Sequence, residues 1–192
     1  ARSAWEEVTV MLLSIQQKYI LEVLRKLRVL RREQLAALVR GKFQRPGFEI
    51  TDARMEAMLR QLRSGMGDVC LDGQFVLLSG ASPNSLLLEA LDVMLELAEG
   101  KPEDFTVRVD RPGILRFSWG NNLRLFTVAE LSAPIRPIVE LLAQEKRVVW
   151  ISGGGIPCQT GSVPEGLILP PKHFFAARLE DGSHRFYGSN VP

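Results

Sequence analysis

Two carboxylates open the question of chemistry. Nucleases of the restriction-endonuclease type set an acidic residue on one strand and a Glu-x-Lys or Asp-x-Lys on the next, so that Mg²⁺ is held and water polarised. Asp110 and Glu130 fall at the ends of predicted strands. The spacing argues against that chemistry: Glu130-Leu131-Ser132 carries no lysine at its third position, and Asp110-Arg111-Pro112-Gly113 reads as a turn. Gly153-Gly154-Gly155 follows a predicted strand, but no Lys-Ser or Lys-Thr comes after it and Ile156-Pro157 blocks an immediate helix, so a flexible loop is expected instead of a phosphate cradle. His173 and His184 have no partners at metal or triad spacing and are read as structural or solvent-facing. Cys70 and Cys158 form no CxxC pair and lack a histidine to finish a zinc set. Neither a catalytic set nor a cofactor or metal site is expected.

Basic and amide side chains offer a different chemistry, that of phosphate and base-edge recognition. On a helix beginning after Thr51, Arg54, Ala57, Arg60 and Gln61 lie on or beside the arc opposite Met55, Met58, Leu59 and Leu62. Small residues such as Ala53 and Ala57 allow close approach to a groove, while Arg54, Arg60 and Gln61 are able to hold phosphates or read base edges. Lys42 and Arg45 in the preceding turn add candidate phosphate contacts, with Arg25, Arg28, Arg31 and Arg32 nearby in sequence. Glu56 on the flank opposes them. An ordinary solvated helix face accounts for the same residues.

These side chains require an element to carry them. Ser14 and Gln17 form a capping-box pair that starts a helix running to about Arg28, with Ile20, Leu21, Leu24 and Leu27 on one face. A second helix spans Arg32 to Arg40, closed by Gly41 in a left-handed conformation. Lys42 to Ile50 is a turn broken at Pro46-Gly47, and Thr51 caps the third helix, which reaches Ser64. Asp68 to Leu78 alternates around Asp72-Gly73 as a hairpin. Helix, helix, turn, helix and hairpin is the winged helix-turn-helix order, in which the third helix commonly enters the major groove. The hairpin tip Asp72-Gly73-Gln74 has no basic residue and is not expected to act as a strong minor-groove arm.

Gly80 to Ser85 reads as a linker. Beyond it, Leu86 to Ala98 is apolar on nearly every side, the pattern of a helix buried from more than one direction. Strands are predicted over Phe105–Val109, Ile114–Trp119 and Leu123–Glu130, the last two joined at Gly120-Asn121-Asn122. A helix over Ile135–Gln144, a strand over Arg147–Ser152, a long loop from Gly153 to Pro171, and a hairpin of His173–Leu179 and Arg185–Gly188 around Asp181-Gly182 complete the chain. The expected fold class is α+β: a winged helix-turn-helix domain over residues 1–80, then a small mixed α/β domain over 81–192.

The segments Leu13-Ser14-Ile15-Gln16-Gln17 through Leu27, then Arg32-Glu33-Gln34-Leu35-Ala36-Ala37-Leu38, resemble the opening helices of the replication-relaxation group of winged-helix proteins. The whole chain is similar to an uncharacterised family carried on conjugative transposons, plasmids and other mobile elements of Gram-positive bacteria. The matching segments in its second half are Ile114-Leu115-Arg116-Phe117, Val148-Val149-Trp150-Ile151 and Phe186-Tyr187. The resemblance implies an N-terminal winged helix followed by a small α/β domain, working in replication, transfer or transcriptional control. Arg31 departs from the pattern, because related sequences offer a Ser or Thr cap before the second helix.

Composition bounds the function classes. The 192 residues are 46% hydrophobic and 24% charged, enough for a sizeable core and unlike a disordered chain. Through Gly80 there are 13 Lys/Arg against 9 Asp/Glu, and beyond it 11 against 13, so the basic bias lies at the front. That bias permits nucleic-acid contact without requiring it. Val8 to Leu13 is too short for a signal-peptide core and follows Glu6 and Glu7, and no apolar run reaches the roughly 20 residues of a membrane span. A reduced, cytoplasmic protein is expected, binding double-stranded DNA without enzymatic activity and pairing as a homodimer on two half-sites. The alternative is an adaptor that binds other proteins of a transfer or replication complex, with a degenerate nuclease as a third reading.

Overall fold

The computed structural model describes residues 12–189. Most of Val8–Leu13, read above as too short for a signal-peptide core, lies outside them. The fold is mixed α+β. The first helix, α1 (Ile15–Leu27), starts where its cap requires: the Ser14 hydroxyl accepts from the Gln17 amide at 3.1 Å, and the Gln17 side chain accepts from the Ser14 amide at 3.0 Å. It ends at Arg28, whose φ of 70° turns the chain sharply and whose N–H closes on the Leu24 carbonyl at 2.8 Å.

That turn feeds β1 (Val29–Arg31), a strand the sequence pattern does not predict. Three residues are too few to display alternation, and its partner lies far along the chain. After α2 (Arg32–Phe43) and α3 (Asp52–Gly65), the hairpin β2 (Val69–Asp72) and β3 (Phe75–Leu78) returns so that β3 pairs with both β1 and β2 in an antiparallel sheet of order β1-β3-β2.

The end of α2 corrects the expectation for Gly41. The helix runs through it to Phe43, with the Gln44 amide bonded to the Arg40 carbonyl at 2.9 Å. Glycine is needed there for space and not for a left-handed turn: a Cβ at position 41 would stand 1.9 Å from the Gly100 carbonyl oxygen. The start of α2 also manages without a Ser or Thr cap, because Gln34 reaches back to accept from the Arg31 amide at 3.0 Å. Thr51 caps α3 as expected, accepting from the Arg54 amide at 3.2 Å, and Met55, Met58, Leu59 and Leu62 are buried.

Helix α4 (Ser85–Leu97) buries Leu87, Leu88, Ala90, Leu91, Val93 and Met94. One apolar cluster runs from α1, α2 and α3 through α4 into the sheet that follows, so the core is continuous across Gly80. Polar ties cross it as well, among them Arg31 to Asp92 and the Gln34 amide to the Leu88 carbonyl at 2.8 Å.

The six-stranded sheet has order β4-β5-β6-β7-β8-β9. Strands β4 (Asp104–Val107), β5 (Gly113–Trp119) and β6 (Arg124–Leu131) form an antiparallel meander. Helix α5 (Ile135–Leu141) then carries the chain over to β7 (Val148–Ser152), parallel to β6, and β8 (His173–Arg178) lies parallel to β7 with β9 (His184–Gly188) antiparallel at the edge. Alternation places Phe117, Val128 and Val149 on the α4 face. Ala129, Leu131, Trp150 and Phe175 form a second core with Val139 and Leu142 on the other.

Two expected elements are shorter than read. β4 stops at Val107, leaving Val109 96% exposed, because Arg108 turns to pair with Asp110 and Glu145. α5 stops at Leu141 and tightens into i→i+3 bonds at Leu142 and Ala143, while Glu145 bonds the Thr127 hydroxyl on β6. Among the described residues no helix is long and apolar enough to cross a membrane.

Candidate nucleic-acid interface

Helix α3 is held between its neighbours by polar contacts that sort its charges. On the α1 side, the Gln17 amide donates to the Gln61 side-chain oxygen at 2.9 Å. On the α2 side, the Arg32 Nη1 group donates to both oxygens of Glu56, at 2.9 and 2.8 Å, and Arg40 pairs with Asp52 while its Nε donates to the Ile50 carbonyl at 2.9 Å. Both acidic residues of α3 therefore have a guanidinium partner. Arg54, Arg60 and Arg63 are exposed and make no ion pair among the described residues. The outward surface of the helix is left basic around the small residues Ala53 and Ala57.

Arg54 is braced from the preceding turn. Arg45 and Phe48 pair across Pro46-Gly47 through reciprocal backbone bonds of 3.2 and 2.9 Å, which presents the Phe48 ring 4.7 Å from the Arg54 guanidinium carbon. A guanidinium over an aromatic face is held by the ring quadrupole. Arg45 itself is exposed beside it.

The six candidate residues do not all meet. Arg54, Ala57, Arg60 and Gln61 share α3, with Ala57 half-buried and Gln61 already engaged through its oxygen. Lys42 lies elsewhere: its Nζ sits 4.3 Å over the Tyr19 ring, in a cleft of about 310 Å³ between α1, α2 and the turn after α4 that no α3 residue lines. Burial, with Glu22 adding to it, pushes the Tyr19 hydroxyl up to about 12, so this ring stays neutral under the lysine. Of the nearby arginines, Arg31 is committed to Asp92 and Glu33, whereas Arg25 and Arg28 are exposed on α1 and at its end.

Periodicity already sets Arg63 on the flank of the arc. Sequence reasoning misses two of the contacts around α3: Arg40 carries no local mark of a role, and Phe48 gives no signal as a support for Arg54. Arg32 and Glu56 are 24 positions apart. No local spacing rule reports such a pair.

In the second half the two carboxylates of the nuclease reading are held in ion pairs. Asp110 is bonded by Arg108, whose guanidinium holds the carboxyl down to about 2, and Glu130 is bonded by Arg111. Position 153 is glycine because a Cβ there would lie 2.5 Å from the Glu130 Oε1. Among the described residues no three His, Cys, Asp or Glu side chains gather as a metal site, and the arginine-bonded carboxylates are unsuited to one. Gly155, at φ 92°, continues into a loop with no helix behind it. Cys70 and Cys158 are free thiols.

The two histidines are buried, and their environments are opposite. His173 accepts at Nδ1 from the Trp150 indole at 3.3 Å and meets the Glu145 carbonyl through Nε2 at 3.0 Å; burial lowers its pKa. His184 faces Glu96 at 2.8 Å and Glu89 at 3.3 Å. Burial opposes its protonation, but the bonds to the two carboxylates outweigh that and raise its pKa. Both read as structural. No family model, curated protein or solved structure matches the chain.

Proposed function

We propose that this protein is a non-enzymatic binder of double-stranded DNA, and that α1 to β3 form a winged helix-turn-helix with α3 as the recognition helix. The observation that carries the reading is the sorting of charge on α3: Asp52 and Glu56 are paired with arginines of α2, while Arg54, Arg60 and Arg63 face outward. Phosphate affinity grows with the number of cations brought to the duplex, and a bidentate arginine is the commonest reader of guanine in the major groove. The tip of the β2–β3 hairpin, Asp72-Gly73-Gln74, contributes no cation. DNA contact is therefore assigned to α3 and the turn before it. Cytoplasmic action within a mobile element, in replication, transfer or transcriptional control, rests on the sequence resemblance, and a homodimer reading two half-sites belongs to the same proposal.

A second reading, an adaptor for other proteins of such a complex, draws on a different surface. Leu141 is 64% and Ile168 85% exposed beside an apolar groove of about 440 Å³ between α5 and the loop before β8.

Fluorescence-anisotropy titration with random duplex DNA, from low to physiological salt, separates the two. DNA binding predicts an affinity that falls linearly on a log–log salt plot. Absence of binding at low salt would transfer the weight to the adaptor.

A further inference from the structure

The two arginines that pair with the acids of α3 come from α2, and neither belongs to the outward arc. Arg32 leads that helix and places one nitrogen against both oxygens of Glu56; Arg40, two turns on, holds Asp52 and the Ile50 carbonyl. Without them, two carboxylates would stand on the same helix as Arg54, Arg60 and Arg63. An uncovered carboxylate there would repel phosphates and compete for those arginines. The Arg32 Nε is buried without a hydrogen-bond partner among the described residues, so this guanidinium forgoes one bond in the position that serves Glu56.

We infer that Arg32 is a positioning residue for DNA binding: it acts through Glu56, neutralising that carboxylate so that it does not oppose Arg54, Arg60 and Arg63 on the face α3 presents to the duplex. Arg40 pairs with Asp52 at the start of the helix, but the Asp52 side chain stays 92% exposed and is not part of the inference. The inference rests on the DNA-binding reading and adds to it a dependence on a residue outside the recognition helix.

The test is an anisotropy titration of the full chain with random duplex DNA at low salt, comparing wild type with Arg32→Gln, Glu56→Gln, Arg32→Gln/Glu56→Gln and Arg32→Gln/Glu33→Gln. Thermal melts of each variant fix a temperature at which all are folded. Glu33 is exposed and adjacent to Arg32, so the last variant restores net charge without touching the carboxylate on α3. Arg32→Gln is expected to weaken binding by up to about fivefold, the scale of one solvent-facing charge pair. Glu56→Gln binds at least as tightly as wild type, Arg32→Gln/Glu56→Gln returns to wild type, and Arg32→Gln/Glu33→Gln stays weak. An unchanged Arg32→Gln overturns the inference. So does a weak Arg32→Gln/Glu56→Gln, which would mean that Arg32 meets DNA itself, or restoration by Glu33→Gln, which would reduce the effect to net charge. If wild type fails to bind, the DNA-binding reading falls and the inference with it; if wild type binds and the variant pattern differs, the inference falls alone.

Discussion

The first half and the six-stranded sheet use their arginines differently. On α3, the acids are paired with arginines of a neighbouring helix, while Arg54, Arg60 and Arg63 face outward. Around β4 to β6, Arg108 and Arg111 close on Asp110 and Glu130, and Glu145 is shared among Arg108, Arg116 and Thr127. The residue types are the same in both places. Availability for a ligand depends on which partner the fold brings alongside, and Asp110, Glu130 and Glu145 are each engaged by an arginine of the same region.

The two regions nevertheless share one core, and the largest effects are expected where that continuity is broken. Leu91 on α4 is fully buried in the cluster that joins them. Leu91→Ala should cost about 3 kcal/mol by cavity formation, and urea unfolding followed by both near-UV and far-UV circular dichroism should give one shared transition. Two separated transitions would show that the halves unfold independently. Gly41→Ala should cost about 2 kcal/mol, because the added methyl meets backbone at Gly100 and the helices must part; the same denaturation reads it.

The histidines sharpen the comparison within the sheet by their opposite signs. His184 has a raised folded pKa, so its stabilising contribution is present below the ordinary histidine value and is lost as pH rises through the raised one. His173 has a lowered folded pKa, so the unfolded state takes up the proton first and stability falls as pH drops below the ordinary value. Melting temperature measured from pH 5 to 9 should lose its alkaline decline in His184→Gln and part of its acid decline in His173→Gln. Exchanged assignments would contradict the hydrogen-bond geometry.

Smaller effects test the proposed interface. Arg54→Ala/Arg60→Ala should reduce the salt slope of duplex binding by about 2, one for each phosphate no longer neutralised, while Asp110→Ala/Glu130→Ala leaves it unchanged. Equal effects from both double variants would erase the distinction between the regions. The smallest change expected is Arg28→Gly. It relieves a left-handed residue at the end of α1 and should add about 1 kcal/mol to stability in a chemical melt.

Local pattern accounts for much of the fold. Ser14 with Gln17, Thr51, and the Met55/Met58/Leu59/Leu62 stripe announce α1 and α3 because capping and helical periodicity operate within a few residues. The hairpins at Asp72-Gly73, Gly120-Asn121-Asn122 and Asp181-Gly182 are legible for the same reason. The all-round apolar pattern of α4 likewise matches its burial against α2 on one side and the sheet on the other. Strand β1 is invisible to such patterns, since only its pairing with β3, more than forty residues on, makes it a strand.

Sequence alone determined the types of the longer elements, the outward arc of α3 with Arg60 on it and Arg54 beside it, and the missing lysine beside Glu130. These follow from side-chain identity and short-range geometry. Tertiary structure decided that Gly41 is a packing contact instead of a helix end, that Lys42 faces Tyr19 away from α3, and that both histidines are buried. It alone decided which charges remain available, because an ion pair such as Arg32–Glu56 forms between side chains that only the packing of two helices brings together.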